Sequence, residues 1–515
     1  MNHCLIQPFW RARSVALILA FVALAQAEVW AVTLNVTSTD DNGAGTLRQA
    51  ILDANNSGAS EVRIEIDLPD NSEIRINTGD LPFITHPAVE IINGNPNRRV
   101  AVDGSAFFRL FLQIGSDSTL SVSGLELRDA RMESDGPSDG GACLYTQGDA
   151  SISNARFINC QAINASGGAV HVLGNLIVED SQFIDNRVFH SGSDFGGAVY
   201  CAGDSCRISG SIFEGNEVSR QLASQFNRGG GAAALLADEI VIENSVFRNN
   251  VGPGRGGALR LVSNQADTSI SIRRSLFRQN EGNEGGAVWL EGGSTLNVEF
   301  STFDRNVASA RAPALSTSLT AEVNLIGNVF YMQESENASV AWGTVFVFGN
   351  SAVASTVRLD YNTFVGEDEN SILFEANEGS SPSDVVVAQL HANIFDQRAS
   401  TPACREESAP VEPLTGWFNV VSDDSCTASI EASSQINVDP KLHPAIQRSD
   451  STIVYPRADS VAVDLVTSQA LAPCIGVIDL GGTVRPLDGN GTGFAFCDAG
   501  ALERNVELFS DRFER

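Results

Sequence analysis

Apolar and polar positions alternate in a repeating pattern between residues 140 and 400. Each repeat carries a Phe, with apolar residues seven and five positions before it and mostly polar residues six and four positions before it. This period of two is that of a β-strand with one buried and one exposed face. A repeat of about 30 residues is typical of a solenoid, in which each unit buries its apolar face against its neighbours. The Phe series comprises Phe157, Phe183, Phe213, Phe247, Phe277, Phe303, Phe330, Phe364 and Phe395.

A second recurring motif, Gly-Gly-Ala, opens another alternating segment in each repeat. It occupies 140–142, 167–169, 196–198, 230–232, 256–258 and 285–287. No helical periodicity separates the segments, and the spacers are rich in Gly, Asn, Asp and Ser. The pattern predicts an all-β fold, a parallel β-helix of roughly a dozen coils.

The recurring side chains predict ladders that run along this β-helix. One Phe per coil should stack inside the core, and an Asn three places later should hydrogen-bond to its counterpart one coil away. The ladder residues are Phe183, Phe213, Phe247, Phe277 and Phe303, with Asn186, Asn216, Asn250, Asn280 and Asn306. Cys160 occupies the Asn position of its own repeat. Two places before each Phe, a Ser series that changes to Asn predicts a second polar ladder: Ser181, Ser211, Ser245, Ser275, Ser301, Asn328, Asn362 and Asn393.

The alternation of Gly-Gly-Ala and Phe-x-x-Asn over roughly 136–310 resembles the repeat of the polymorphic outer-membrane proteins. The passenger domains of that family are right-handed parallel β-helices. The resemblance implies a right-handed fold and a role at a cell surface.

The first residues have the features of a signal peptide. Arg11 and Arg13 precede an apolar run at 15–25, and Ala25-Gln26-Ala27 suits cleavage after residue 27, with cleavage after residue 31 as the alternative. The sequence therefore predicts export, either to the extracellular medium or to the outer-membrane surface of a Gram-negative bacterium. The mature chain has no further apolar stretch of 18 residues, so we expect no transmembrane segment.

A short helix is predicted at the start of the first domain, 32–135. Thr46 with Gln49 three residues later forms a capping box, and Leu47, Ala50, Ile51 and Ala54 make one apolar face that ends before Gly58. Such a helix would cover the open end of the β-helix core. The segment resembles the CSLREA-type N-terminal region of bacterial surface β-helix proteins, with 47–51 matching the name peptide.

Three prolines between 400 and 415 mark the end of the repeat domain, 136–400. Motifs spread over 401–504 resemble the choice-of-anchor Q segment that closes many secreted bacterial β-helices, among them Gly416-Trp417-Phe418-Asn419 and Cys497-Asp498-Ala499-Gly500. We expect an irregular, disulfide-bearing C-terminal cap there. Residues 505–515 form a tail.

The strongly negative charge of the chain excludes some classes of binding partner. The formal net charge is −30, and Lys441 is the only lysine, which argues against nucleic acid or an anionic membrane as partner. No cofactor is predicted; the acidity is compatible with Ca²⁺, although no motif specifies a calcium site.

Eight cysteines follow Cys4, an even number in an oxidising compartment. The expected pairs are Cys201–Cys206, Cys404–Cys426, Cys474–Cys497 and, as the remainder, Cys143–Cys160.

Catalytic motifs are hard to find, and we assign no catalytic residue. The polygalacturonase signatures Asn-Thr-Asp, Gly-His-Gly and Arg-Ile-Lys are absent. One outward row of mixed charges is best read as a charge ladder in which Arg273 bridges Glu243 and Glu299: Ser153, Glu179, Ser209, Glu243, Arg273, Glu299, Ile326, Asp360 and His391. An active site assembled along this row is the alternative.

A second outward row lies two positions past each Gly-Gly-Ala alanine and reads Leu144, His171, Tyr200, Ala234, Arg260, Trp289 and Ser316. Rings and an arginine in register on one face are typical of a sugar-binding surface, although aromatic residues also favour strands. His171, Tyr200, Arg260 and Trp289 are the predicted ligand-binding residues, divided into two patches by Ala234.

The sequence thus predicts an exported β-helix with a structural, adhesive or glycan-binding role, whose partners are extracellular polysaccharides or cell-surface components. A lyase or hydrolase acting on polysaccharide is the alternative.

Overall fold

The computed structural model describes most of the chain and shows a parallel β-helix, as predicted. The described residues are 32–133, 140–189, 195–219, 229–263, 268–292, 295–318, 322–335, 343–348, 355–366, 372–375, 387–397, 404–407, 415–424, 433–467, 474, 478–488 and 495–504. Over these residues the chain winds through four parallel sheets, named sheets I to IV in the order in which one coil visits them. They contain 14, 14, 8 and 9 described strands respectively.

Sheets I and II run along nearly the whole molecule. Sheet I contains Val32–Val36, Val62–Ile66, Ala88–Asn93, Thr119–Ser123, Asp149–Ser153, Leu176–Glu179, Ser205–Ser209, Glu239–Glu243, Ser269–Arg273, Thr295–Glu299, Glu322–Ile326, Thr356–Asp360, Val387–His391 and Thr415–Trp417. Sheet II contains Ser72–Arg75, Val100–Asp103, Glu126–Arg128, Arg156–Ile158, Gln182–Ile184, Ile212–Glu214, Val246–Arg248, Leu276–Arg278, Thr302–Asp304, Val329–Tyr331, Thr363–Gly366, Ile394–Gln397, Val420–Val421 and Gln435–Ile436.

Sheets III and IV are shorter. Sheet III contains Arg131–Glu133, Gln161–Ile163, Arg187–Phe189, Glu217–Val218, Val251–Arg255, Glu281–Glu284, Val307–Arg311 and Glu334–Ser335. Sheet IV contains Phe111–Gln113, Leu144–Thr146, Val170–Val172, Val199–Cys201, Ala233–Leu236, Leu259–Val262, Val288–Glu291, Leu315–Ser318 and Val345–Phe348. Two small sheets pair Ile372–Glu375 with Cys404–Glu407 and Ile446–Gln447 with Thr452–Ile453.

The predicted Phe column forms the centre of the core. From Phe157 to Phe395, nine rings stack in register with centroids 4.5 to 5.2 Å apart, and all nine are buried. The strand spacing of about 4.8 Å sets this distance, because each coil contributes one ring at the same register position. The prediction of one continuous aromatic core is confirmed.

Both predicted polar ladders are also present. Each Asn of the first ladder donates its side-chain N–H to the Oδ1 of the next, from Asn186 to Asn306, at 2.9 to 3.0 Å. Cys160 begins this ladder through its backbone N–H and Gln333 ends it. The second ladder continues beyond the predicted Asn393 to Asn419. All ladder side chains are buried, so these hydrogen bonds satisfy polar groups that water does not reach.

The first Gly of each Gly-Gly pair adopts a positive φ, as at Gly167, where φ is +69°. A Cβ at this position would collide with the backbone carbonyl of Val170. In the first repeat the corresponding residue is Gly141, with φ +63°, and Leu144 pairs with Val170. The motif at 140–142 is therefore displaced by one residue from the register of the later ones.

The N-terminal helix spans Leu47–Asn55 and begins at the predicted N-cap, Thr46, whose side chain accepts a hydrogen bond from the backbone N–H of Gln49. Its four predicted apolar residues are buried and join the same core as the first strands of sheet I. The Gln49 side chain bonds Asp53 instead of closing the capping box. The helix ends through hydrogen bonds of Asn56, two residues before the predicted stop at Gly58.

The C-terminal segment lies along the side of the β-helix. Arg278 of sheet II donates to the carbonyl oxygens of Arg448 and Ser451, and the backbone N–H of Gly500 donates to the carbonyl of Ala392. These contacts are more than 100 residues apart in sequence, and they fold the segment back over several coils. Part of the segment that we predicted to cap the end of the β-helix therefore packs along sheet II instead.

Three of the four predicted disulfides are formed: Cys143–Cys160, Cys201–Cys206 and Cys474–Cys497. The predicted pair of Cys404 and Cys426 lies outside the residues whose side chains are described. No helix in the described part of the chain is long and apolar enough to cross a membrane.

Candidate ligand-binding surface

The predicted ligand-binding row lies on the outer face of sheet IV. His171, Tyr200, Ala234, Arg260 and Trp289 pair in register on successive strands. The row begins at Tyr145, which pairs with His171, whereas Leu144 points into the core. The prediction of Leu144 as first member is wrong because the first Gly-Gly-Ala motif is shifted by one residue.

A second column, which we call the flanking column, runs beside this row. It consists of the residue that directly precedes the positive-φ residue of each coil, a glycine in six coils and Ala312 in the seventh: Gly140, Ser166, Phe195, Gly229, Arg255, Glu284 and Arg311. Backbone pairings of Gly140 with Ser166, and of Gly229 with Phe195 and Arg255, establish its register. We did not identify this column from the sequence. Its constant position before the glycine is a signal that could have revealed it.

The two columns interlock at the N-terminal end of the row. The Arg109 guanidinium lies 5.0 Å from the Tyr145 ring, the Tyr145 and His171 rings are 5.4 Å apart, and the His171 and Tyr200 rings are 4.6 Å apart. His171 Nδ1 donates to the carbonyl of Ser166 at 2.9 Å. Any Cβ at Gly140 would collide with the His171 ring, which fixes glycine at that place in the flanking column.

Ala234 does not divide the row into two patches, contrary to the prediction. The Phe195 ring of the flanking column lies 3.9 Å from the Arg260 guanidinium, which belongs to a coil two turns further along. On the intervening coil, Gly229 has no side chain and Ala234 has only a methyl group, which leaves room for this contact. The Trp289 ring then lies 4.4 Å from Arg255 and 5.4 Å from Arg260. Rings and guanidinium groups thus form one continuous array.

This packing buries most of the side chains in the row, which we expected to be exposed. Trp289 and His171 are each 1% exposed and Arg260 is 8% exposed, although their side chains leave the outer face of the sheet. Tyr200 is half-buried and is the most open of the four predicted ligand-binding residues. Trp289 is therefore a structural side chain of this face and not an exposed binding group.

Arg260 is a cation held in a dry environment. Burial lowers the pKa of Arg260 to about 10, and neighbouring Arg255 acts in the same direction. Glu291 opposes this effect at a distance of only 3.9 Å. Burial also raises the pKa of Tyr200, while the charge of Arg260 partly offsets that rise. A guanidinium at this distance from its carboxylate, beside a second arginine, favours an additional anion nearby.

The outward row of charges on sheet I has the predicted register along its whole length. Arg273 pairs with Glu299 at 3.1 Å, but no ion pair joins Arg273 to Glu243. The bridge across three coils is therefore only half formed.

The far end of that row holds a buried carboxylate–imidazole pair. His391 Nδ1 lies 2.9 Å from Asp360 Oδ1, and Arg358 binds the other oxygen of Asp360 at 2.6 Å. The Trp417 ring stacks on His391 with centroids 5.0 Å apart, and Nε2 of His391 is buried without a hydrogen-bond partner. This geometry orients the imidazole as a base, yet leaves its reactive nitrogen out of contact with solvent.

No group of three His, Cys, Asp or Glu side chains in the described segments is placed to hold a metal ion. The comparison with protein families agrees with the architecture. A family model described as "Right handed beta helix region" matches residues 112–330. No curated protein matches the chain. The four parallel sheets and this match together support a right-handed parallel β-helix repeat fold.

Proposed function

We propose that this protein is an exported β-helix rod with a structural or adhesive role, and that its sheet IV face binds glycans around Tyr200. Three internal ladders and the disulfides support the rod, because they link buried positions of successive coils in the repeat region. The signal-peptide pattern and the disulfides support export.

One observation carries the binding proposal: the continuous array of rings and guanidinium groups on the outer face of sheet IV. Rings on such a face can stack on the apolar faces of sugars, and Arg260 offers a positive charge that Glu291 only partly balances. Because Trp289 and His171 are buried, the ring that meets a ligand is Tyr200. The buried members hold Tyr200 and Arg260 in place.

A glycan array probed with the purified mature protein tests this proposal. Tyr200→Ala should reduce retention on the glycans that wild type binds. Ile177→Ala removes a 42% exposed side chain that belongs to sheet I and not to the sheet IV row, and should leave retention unchanged. Equal retention of all three proteins, or retention of none, would exclude the sheet IV face as a glycan site.

The second candidate function is catalysis on polysaccharide, and the Asp360–His391 pair favours it. A carboxylate that binds Nδ1 makes Nε2 the basic nitrogen of the ring, as a general base requires, but Nε2 would have to become accessible before it could act on a substrate. Incubation with a panel of acidic polysaccharides, followed by detection of unsaturated or reducing ends, tests this candidate. Activity that disappears in His391→Ala would favour the enzyme over the rod.

A further inference from the structure

A groove of about 570 Å³ lies near the N-terminal end, where sheet I turns into sheet II. In one coil the turn is the six-residue loop 94–99, whereas the next three coils turn with two residues each. The long loop forms one wall with Pro96, Arg98 and Arg99. The rest of the lining comes from the following three coils, including Glu126, Asn154, Arg156 and Gln182. The groove therefore extends along the axis of the β-helix.

The groove concentrates positive charge in a strongly acidic protein. Three arginines and one glutamate line it, whereas the whole chain has 33 basic and 63 acidic residues. Arg98 is held by Asp67 at 3.2 Å and by the carbonyl of Leu68. The Arg99 side chain is exposed and forms no ion pair within the described segments.

Arg156 has one carboxylate partner and an open guanidinium. Its guanidinium contacts Glu126 at 2.7 Å, and the same carboxylate binds Arg128 at 3.1 Å, although Arg128 also has Glu73 at 2.6 Å. The Arg156 side chain is 39% exposed, so its terminal N–H groups are open to an incoming anion.

The lining also supplies neutral hydrogen-bonding groups at intervals along the axis. Asn154 and Gln182 belong to successive coils, and both line the groove. Amides donate to and accept from hydroxyl groups, and guanidinium groups bind carboxylate or sulfate. A ligand with anionic groups at one end and hydroxyls over the next two coils matches this arrangement. The small width of the charged patch does not suit nucleic acid, whose binding needs many basic contacts.

We propose that this groove binds an anionic oligosaccharide, with Arg99 and Arg156 contacting its carboxylate or sulfate groups and Asn154 and Gln182 contacting its hydroxyls. The site involves sheets I and II, so it does not depend on glycan binding by sheet IV. A smaller adjoining cavity of about 230 Å³ shares Arg99 and Glu126 with the groove and lengthens it toward Arg128.

Isothermal titration calorimetry of the whole mature protein tests the proposal with four probes: oligogalacturonate, sulfated dextran, unmodified dextran and inorganic sulfate. Wild type should bind one or both acidic saccharides, not unmodified dextran, and binding should weaken as salt increases. The double variant Arg99→Gln/Arg156→Gln should lose about tenfold or more in affinity, because it removes two charge-assisted contacts.

Arg207→Gln is the matched control, since Arg207 is also a partly exposed arginine paired with a glutamate, Glu239, but lies on sheet I outside the groove lining. It should bind as wild type does. Tyr200→Ala should also retain binding, which separates this groove from the sheet IV face. Failure of wild type to bind either acidic saccharide would overturn the proposal. So would equal loss in Arg207→Gln, or binding of inorganic sulfate as tight as that of the saccharides.

Discussion

The Asn ladder gives the sharpest test of how the rod is stabilised. Asn250 is fully buried, and its side chain makes four hydrogen bonds. Its Oδ1 accepts from the backbone N–H and the side-chain amide of Asn216, at 3.1 and 2.9 Å. Its Nδ2 donates to the carbonyl of Phe213 at 3.0 Å and to Asn280 Oδ1 at 2.9 Å.

Asn250→Ala should leave two buried donors without a partner, the backbone N–H and one side-chain N–H of Asn216. The carbonyl oxygen of Phe213 loses one acceptor contact but stays in the parallel strand pairing with residues 246–248. Each unsatisfied group costs about 1–3 kcal/mol, and a water molecule that enters the vacated space would recover part of it. We therefore expect a loss of about 2–5 kcal/mol in the free energy of unfolding. Asn280 keeps one donor, the backbone N–H of residue 250, so its share of the loss is small.

Urea unfolding followed by circular dichroism measures this loss, with Asn324→Ala as the matched control. Asn324 lies on the outer face of sheet I and bonds Asn297 and Glu322 in a half-buried setting, so its removal should cost less than about 1 kcal/mol. Because coils of a solenoid can unfold separately, hydrogen exchange of residues 246–280 should locate the effect. Losses for the two variants that agree within about 0.5 kcal/mol would refute a special role for the ladder.

Three further predictions follow from burial. Trp289→Ala should destabilise the fold by about 3 kcal/mol or more, because it removes a large buried side chain, whereas Tyr200→Ala should cost less; urea midpoints compare the two. Alkylation of the oxidised mature protein should label none of Cys143, Cys160, Cys201, Cys206, Cys474 and Cys497, as mass spectrometry can check. Stability of the C-terminal segment should decrease as the pH rises from about 4.5 to 7. Burial raises the pKa of Glu503 to about 7, even though Glu503 contacts Arg485. In this pH range the folded chain therefore keeps a proton that the unfolded chain releases, which favours unfolding as the pH rises. Hydrogen exchange of the Arg504 amide should show this change, and Glu503→Gln should reduce it.

The repeat region was predictable because its stabilising contacts join equivalent residues of neighbouring coils and recur at a regular spacing in the sequence. A residue such as Phe247 occupies the same environment in every coil, so nine occurrences of one pattern identify one structural position. The helix at Leu47–Asn55 was predictable from its cap and its apolar face.

The errors arose where register or long-range packing decides the outcome. Leu144 was placed one residue out of register because Gly140, and not Gly141, appeared to open the motif; only the positive φ of Gly141 distinguishes them. The burial of Trp289 depends on Arg255, which lies 34 positions earlier in the chain and contributes from a neighbouring coil. Likewise, no local pattern places Arg448 beside Arg278.

These errors share a physical cause that bears on where such a rod binds ligands. In a β-helix, equivalent side chains of successive coils are only about 4.8 Å apart, so large residues in register contact one another before they contact anything else. The sheet IV row shows this, since Arg260 lies between Phe195 and Trp289 and little of it remains exposed. The side chains of a regular column are thus expected to bury one another and to leave little surface for a ligand. Open binding groups arise where one coil departs from the repeat, as at loop 94–99, where the next coil turns with only two residues and the Arg99 side chain is exposed and forms no ion pair among the described residues.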